Sequence, residues 1–148
     1  MDPISVFEGE HHFLSNFHPA TFVWDNILWP TSEHAYQAAK VISHKHRIEL
    51  ASIRGPAAVK QAGKKLPLRQ NWDDLKVDVM YEIVLCKFTQ NPDLKAKLTA
   101  TKDAHLEEGN HWKDTFWGIC PPNSGIGLNH LGEVLMDIRQ LFVEQNVK

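Results

Sequence analysis

Cysteine is almost missing from this chain: Cys86 and Cys120 stand far apart and form no C-x-x-C pair. A disulfide framework is therefore not expected, and the two thiols read as packing residues in a reducing compartment. Long apolar runs are missing as well, with no stretch of about 18 uninterrupted apolar residues. The opening Met1-Asp2-Pro3-Ile4 has no basic segment leading into an apolar one, so a cytoplasmic protein without a membrane partner is expected. Charge of one sign is equally scarce. The 16 basic and 18 acidic residues leave a formal net charge of −2, which argues against coating nucleic acid or an anionic membrane by bulk electrostatics and leaves room for a local basic pocket.

Catalytic signatures of several common classes are absent too. The nine histidines form neither H-E-x-x-H nor a Cys/His ladder, so they read as surface or helix-end residues and no metal is expected. Asn123-Ser124-Gly125 is not the G-x-S-x-G of a serine hydrolase. Gly125-Ile126-Gly127-Leu128-Asn129 lacks the lysine-serine ending and the preceding strand of a phosphate-binding loop, although its glycines would let backbone approach an anion at a helix start.

What is present suffices for one domain, residues 1–148, since 43% of the residues are apolar and can build a core without staples. Aromatic and β-branched residues from Val6 to Phe17 suggest a short strand and a loop. Thr21-Phe22-Val23-Trp24 and Ile27-Leu28-Trp29 flank Asp25-Asn26, a two-residue hairpin signal. Pro30 then ends the ladder, and Thr31 or Ser32 caps a helix with Glu33 in its first turn. Continued at helical spacing, Glu33, Tyr36, Gln37, Lys40 and His44 make a polar stripe opposite Ala35, Ala38, Ala39 and Ile42. Glu33 would also favour the positive end of the helix dipole, a purely structural use.

Further helices are expected around Arg47–Ile53, Ala57–Ala62, from about Asp73 with Leu75, Val79, Ile83 and Cys86 facing the core, from Asn91-Pro92-Asp93 to about Leu98, and at the end of the chain with Leu128, Leu131, Leu135, Ile138 and Phe142 inward. His105–Glu108 suggests a short strand. Between Gly109 and Gly127 lies an irregular stretch too aromatic for disorder, and long loops of that kind usually carry function.

Polar and aromatic residues collect at the junctions: Asn16 and Phe17, Glu33 and Lys40, Arg69 and Trp72, and Asp114 with Trp117-Gly118. Carboxylates, an amine and tryptophans suit the cleavage of a glycosidic bond, where a carboxylate stabilises an oxocarbenium-like state and a second group protonates the leaving atom or activates water. Tryptophan can stack on the departing heterocycle, and Arg69 or a helix N-terminus can hold phosphate. Trp72 could equally be a core aromatic, Arg69 a solvated cation, and Asp114 the acceptor of an Asx-turn.

The chain resembles the NADAR family of N-glycosidases. The resemblance rests on Phe13-Leu14-Ser15-Asn16-Phe17, Trp29-Pro30-Thr31-Ser32-Glu33-His34-Ala35-Tyr36-Gln37-Ala38-Ala39-Lys40, Leu68-Arg69-Gln70-Asn71-Trp72, Asp114-Thr115-Phe116-Trp117-Gly118 and the run from Gly125 to Met136. It implies a mainly helical α+β domain with a small N-terminal hairpin, hydrolysing N-glycosidic bonds without metal or other cofactor. By motif position, Glu33, Lys40, Trp72 and Asp114 are the expected catalytic residues, Lys40 attacking or holding the anomeric carbon. Asn16, Phe17, Tyr36, Arg69, Trp117, Gly118 and Asn129 would bind substrate.

One branch of the family removes ribose phosphate from early intermediates of riboflavin biosynthesis, and another removes ADP-ribose from modified guanine, so the expected partner is a small N-ribosyl phosphate or an ADP-ribosylated nucleic acid. A module that binds ADP-ribose without turnover is the alternative from a different class. The chain departs from the pattern before its last helix, where Cys120-Pro121-Pro122-Asn123-Ser124 carries no lysine, and the family's acidic position falls at either Glu107 or Glu108.

Overall fold

A computed structural model describes residues 1–146. The backbone folds into two compact units, one of Met1–Ser15 together with the chain from Pro92 onward, the other of Asn16–Asn91. The architecture is mainly helical with a two-stranded antiparallel sheet, an α+β arrangement as expected.

In the Asn16–Asn91 unit, β1 (Phe22–Trp24) pairs with β2 (Ile27–Trp29) in the register Phe22 to Trp29 and Trp24 to Ile27. Asp25 and Asn26 take φ of 55° and 56°, the paired left-handed conformation that a two-residue hairpin requires. Arg47 ties this turn down: Nη1 donates to Asp25 Oδ2 at 2.8 Å and Nε to the Val41 carbonyl at 2.9 Å.

The hairpin leads into α1 (Ser32–Ala38). Its cap is Thr31, whose hydroxyl accepts from the His34 backbone N–H at 3.1 Å and meets His34 Nδ1 at 2.8 Å. The Nε2 of His34 lies 2.8 Å from the Ile53 carbonyl. A carbonyl can only accept, so Nε2 carries the proton and Nδ1 accepts from Thr31. Burial lowers the His34 pKa, the Ile53 bond opposing it, which suits this neutral, structural imidazole.

Every residue of α1 is buried, because α2 (His44–Ala51), α3 (Pro56–Gly63), α4 (Trp72–Gln90) and β2 all pack against it. The expected two-faced helix is thus enclosed on all sides, and it stops at Ala38, so Lys40 follows the C-cap and Ile42 is exposed.

In α4 the inward face is Met80, Ile83, Val84, Lys87 and Phe88, with Leu75, Val79 and Cys86 only half-buried. The apolar spacing misplaced this face by about a quarter turn, since a lysine interrupts the true stripe.

In the other unit, the segment expected to hold a strand is a 3-10 helix, Gly9–Leu14. Gly9 enters it at φ 58°, and His11 N–H to the Glu8 carbonyl and Ser15 N–H to the His12 carbonyl make its short-range bonds. Strand character survives only as single bridges, Ile4 with Leu106 and Gly109 with Ile119. Helix α5 (Pro92–Ala100) runs two residues beyond expectation. In α6 (His130–Gln145), Leu131, Leu135, Ile138 and Phe142 point inward as the spacing requires, whereas Leu128 precedes the helix and is exposed. Arg139 is buried with them, its Nη1 donating to Thr101 Oγ1 at 2.9 Å and the Ala104 carbonyl at 2.8 Å. No helix among the described residues is long and apolar enough to cross a membrane.

Candidate active site

Seven of the expected site residues belong to the Asn16–Asn91 unit. Glu33 in the first turn of α1 is 7% exposed. Its backbone N–H donates to the Asn16 carbonyl at 3.0 Å, and its Oε2 accepts from Gln37 Nε2 at 2.5 Å. Asn16 also accepts from Ser32 Oγ on its Oδ1 at 2.9 Å and directs Nδ2 to Met80 Sδ at 3.5 Å. The first-loop asparagine thereby clasps the N-terminus of α1 and steadies Glu33.

One turn further on, the Tyr36 ring meets Trp72 with centroids 5.5 Å apart at 48°, and Lys40 Nζ lies 5.8 Å from the Tyr36 centroid. Trp72 is buried at the start of α4. Lys40 is half-buried, and its pKa is lowered, chiefly by burial and further by Lys76, while Glu33 opposes the change. Arg69 returns to the same turn: its N–H donates to the Lys40 carbonyl at 2.8 Å and Nη1 reaches the Ala39 carbonyl at 3.5 Å. Phe17 faces Lys60, whose Nζ is 5.7 Å from the ring centroid. The pattern of the sequence did not single out Lys76 or Lys60 as members of this neighbourhood. Gln37 stood on the expected polar stripe, four residues from Glu33, where helix geometry makes such pairs adjacent.

Asp114, Trp117, Gly118 and Asn129 lie in the other unit. Asp114 Oδ1 accepts from the Phe116 and Trp117 backbone N–H groups at 3.1 and 2.8 Å, an Asx-turn that sets the aromatic pair. Phe116 and Trp117 stand edge to face at 4.9 Å, and His130 stacks 4.5 Å from Phe116. A cavity of about 400 Å³ opens beside them, lined by Thr115, Phe116, Ile126, Gly127 and Leu128.

Asn110, fully buried and unforeseen, organises the loop. Its Oδ1 accepts from the Trp112 and Asp114 N–H groups, and its Nδ2 donates to the Asp114 carbonyl and to Glu108 Oε2. Of the two acidic candidates, Glu108 is the one turned toward this loop, while Glu107 Oε2 is 3.1 Å from His105 Nε2. Gly118 lies so close under Glu108 that a Cβ there would overlap its carboxylate and carbonyl. Asn129 braces the start of α6: Oδ1 accepts from the Glu108 N–H at 3.0 Å and Nδ2 donates to the Leu106 carbonyl at 2.9 Å. Among the described residues no three His, Cys, Asp or Glu side chains gather as a metal-binding group.

Known proteins resemble this chain over nearly its whole length. The YbiA N-glycosidase of Escherichia coli is 38% identical over 135 residues, covering 89% of this chain and 82% of that protein. An N-glycosidase of Nostoc punctiforme is 37% identical over 132 residues, covering 86% and 83%. A riboflavin biosynthesis protein of Vibrio vulnificus is 37% identical over 142 residues, which are 93% of this chain but 38% of that longer protein. The solution NMR structure of Escherichia coli YbiA superimposes with a TM-score of 0.85 over 99% of this chain and 86% of the other, at 32% identity in that structural alignment. The NADAR domain matches residues 6–143, a span containing Glu33, Lys40, Trp72 and Asp114, and by that match the chain belongs to the NADAR family.

Proposed function

We propose that this protein is an N-glycosidase that hydrolyses the bond between a phosphorylated ribose and a heterocyclic base, with ribosylaminopyrimidine phosphates of riboflavin biosynthesis as the substrate class. The observation that carries the reading is the α1 cluster. A buried carboxylate, a half-buried amine with weakened proton affinity and a tyrosine–tryptophan pair share one short, enclosed helix, the turn that follows it and the start of α4. Burying such groups is unfavourable unless chemistry or an ion pair uses them. The names of the Nostoc and Escherichia relatives, and that of the Vibrio protein, support the same assignment.

In this reading Glu33 stabilises positive charge as the C1–N bond lengthens. Lys40 Nζ adds to C1 as the base departs with the proton released from the amine, and water then adds at C1 to free the lysine and the sugar. Water supplies hydroxyl to the sugar and hydrogen to the base, so the net reaction is hydrolysis. Tyr36 and Trp72 offer an aromatic wall, and Phe17 and Arg69 supply flanking contacts. Asp114 orders the Phe116–Trp117 turn, on which the aromatic surface of that loop depends.

Purified protein should release free base from ribosylaminopyrimidine phosphates, and Glu33→Gln should lower turnover by about a thousandfold, the scale of a lost transition-state stabiliser, with unchanged circular dichroism. Running ADP-ribosylated guanine DNA, ADP-ribose and NAD in parallel decides the substrate. Base release from ADP-ribosylated guanine alone would transfer the assignment to that class, and tight binding without any release would reduce the protein to a binding module.

A further inference from the structure

We infer that Gln37 and Gly63 are positioning residues for the Glu33 carboxylate, so that a missing side chain on α3 governs the activity of a group on α1. The inference rests on the N-glycosidase reading above and deepens it. Gln37 is 4% exposed and its Nε2 donates to Glu33 Oε2 at 2.5 Å. The opposite end of the same amide, Oε1, is the buried side-chain atom that has no hydrogen-bond partner among the described residues. An unpaired buried carbonyl oxygen is unfavourable, so something else dictates the orientation. Turning the amide over would set Oε1 against an ionised carboxylate, acceptor against acceptor. The donor orientation is the one that suits a charged Glu33, and it strands Oε1.

Gly63 provides the place where Oε1 is stranded. It is the last residue of α3, and a Cβ built on it would overlap Gln37 Oε1 and crowd Cδ and Cγ. Its backbone is helical and does not require glycine, and alanine is the better helix former. The demand is therefore for space. The bare Cα faces the amide oxygen, a contact of the weak C–H···O kind. Glu33 is in this way held from its own helix by Gln37, and Gln37 is held from α3 by Gly63.

The test measures kcat and KM with a ribosylaminopyrimidine phosphate for Gln37→Leu, Gly63→Ala, the double variant and Glu33→Gln, each checked by circular dichroism and melting temperature. Each of the first two should lower kcat about tenfold, the effect of one hydrogen bond to a charged group, with KM within about twofold because the carboxylate acts in the transition state. In the Gln37→Leu background, Gly63→Ala should cost no further activity, since the amide it displaces is gone.

A purely structural role would instead lower melting temperature and give additive losses, and that result overturns the inference. Wild-type kcat in Gln37→Leu, which leaves α3 untouched, overturns it independently of how Gly63→Ala folds. If both single variants keep wild-type kcat while Glu33→Gln is inactive, the positioning inference fails alone. If Glu33→Gln itself retains turnover, the underlying functional reading fails with it.

Discussion

Lys87 should make the stability of this protein rise with pH, and replacing it with methionine should remove that dependence. The residue is 1% exposed on the inward face of α4, among Ile83, Val84 and Phe88, with Nζ 5.0 Å from the Phe88 ring centroid. Burial lowers its pKa from 10.5 to about 7. The unfolded chain therefore binds a proton between roughly pH 7 and 10.5 that the folded chain does not, and stability must rise with pH across that window.

Below pH 7 both states are charged and the full cost of burying the ammonium is present. Above about pH 10.5 both are neutral and the cost has vanished. At about 1.4 kcal/mol per tenfold change in proton affinity, the cost is on the order of 5 kcal/mol, a ceiling because contacts with the aromatic ring offset part of it. Methionine conserves volume and flexibility at this position. Urea unfolding followed by tryptophan fluorescence, run on both proteins from pH 6 to 10, should show the parent gaining stability relative to Lys87→Met as pH rises, by up to about 5 kcal/mol over that range. A stability difference between the two proteins that does not change with pH would refute the reasoning.

Two further outcomes are expected. Borohydride added during turnover should trap the sugar on Lys40 by reducing the imine formed when the ring oxygen of the Lys40–C1 adduct leaves and the sugar opens, a product detectable by peptide mass spectrometry and absent from Lys40→Met. Turnover without any adduct would leave Lys40 as an electrostatic contact only. Asn129→Ala should destabilise by about 2–4 kcal/mol, since it abandons two buried backbone partners and places alanine at φ 54°. Melting curves check this, and an unchanged midpoint would contradict the structural role of the amide.

Local physics made much of this protein legible from residue order. Asp25-Asn26 marked the hairpin because few other residues tolerate its backbone, and Thr31 marked the start of α1 because its hydroxyl replaces a missing helical acceptor. The Gly9–Leu14 segment and the inward face of α4 were misjudged for a common reason. Composition reports what a segment can bury, whereas the neighbours decide which side is buried, and a lysine on the inward face is invisible to any apolar count.

The candidate site divides along the same line. Residue order alone determined that Glu33 opens a capped helix, that Gln37 follows it by four residues, and that aromatic and acidic residues cluster at the junctions, because these depend on spacing along one chain. Tertiary packing alone decided that α1 is enclosed on every side, that Asn16 clasps its start, that Asn129 bonds to Leu106 and Glu108, and that Gly63 lies against the Gln37 amide. Burial and orphaned polar atoms are properties of what surrounds a residue, and the surroundings come from segments far away in sequence.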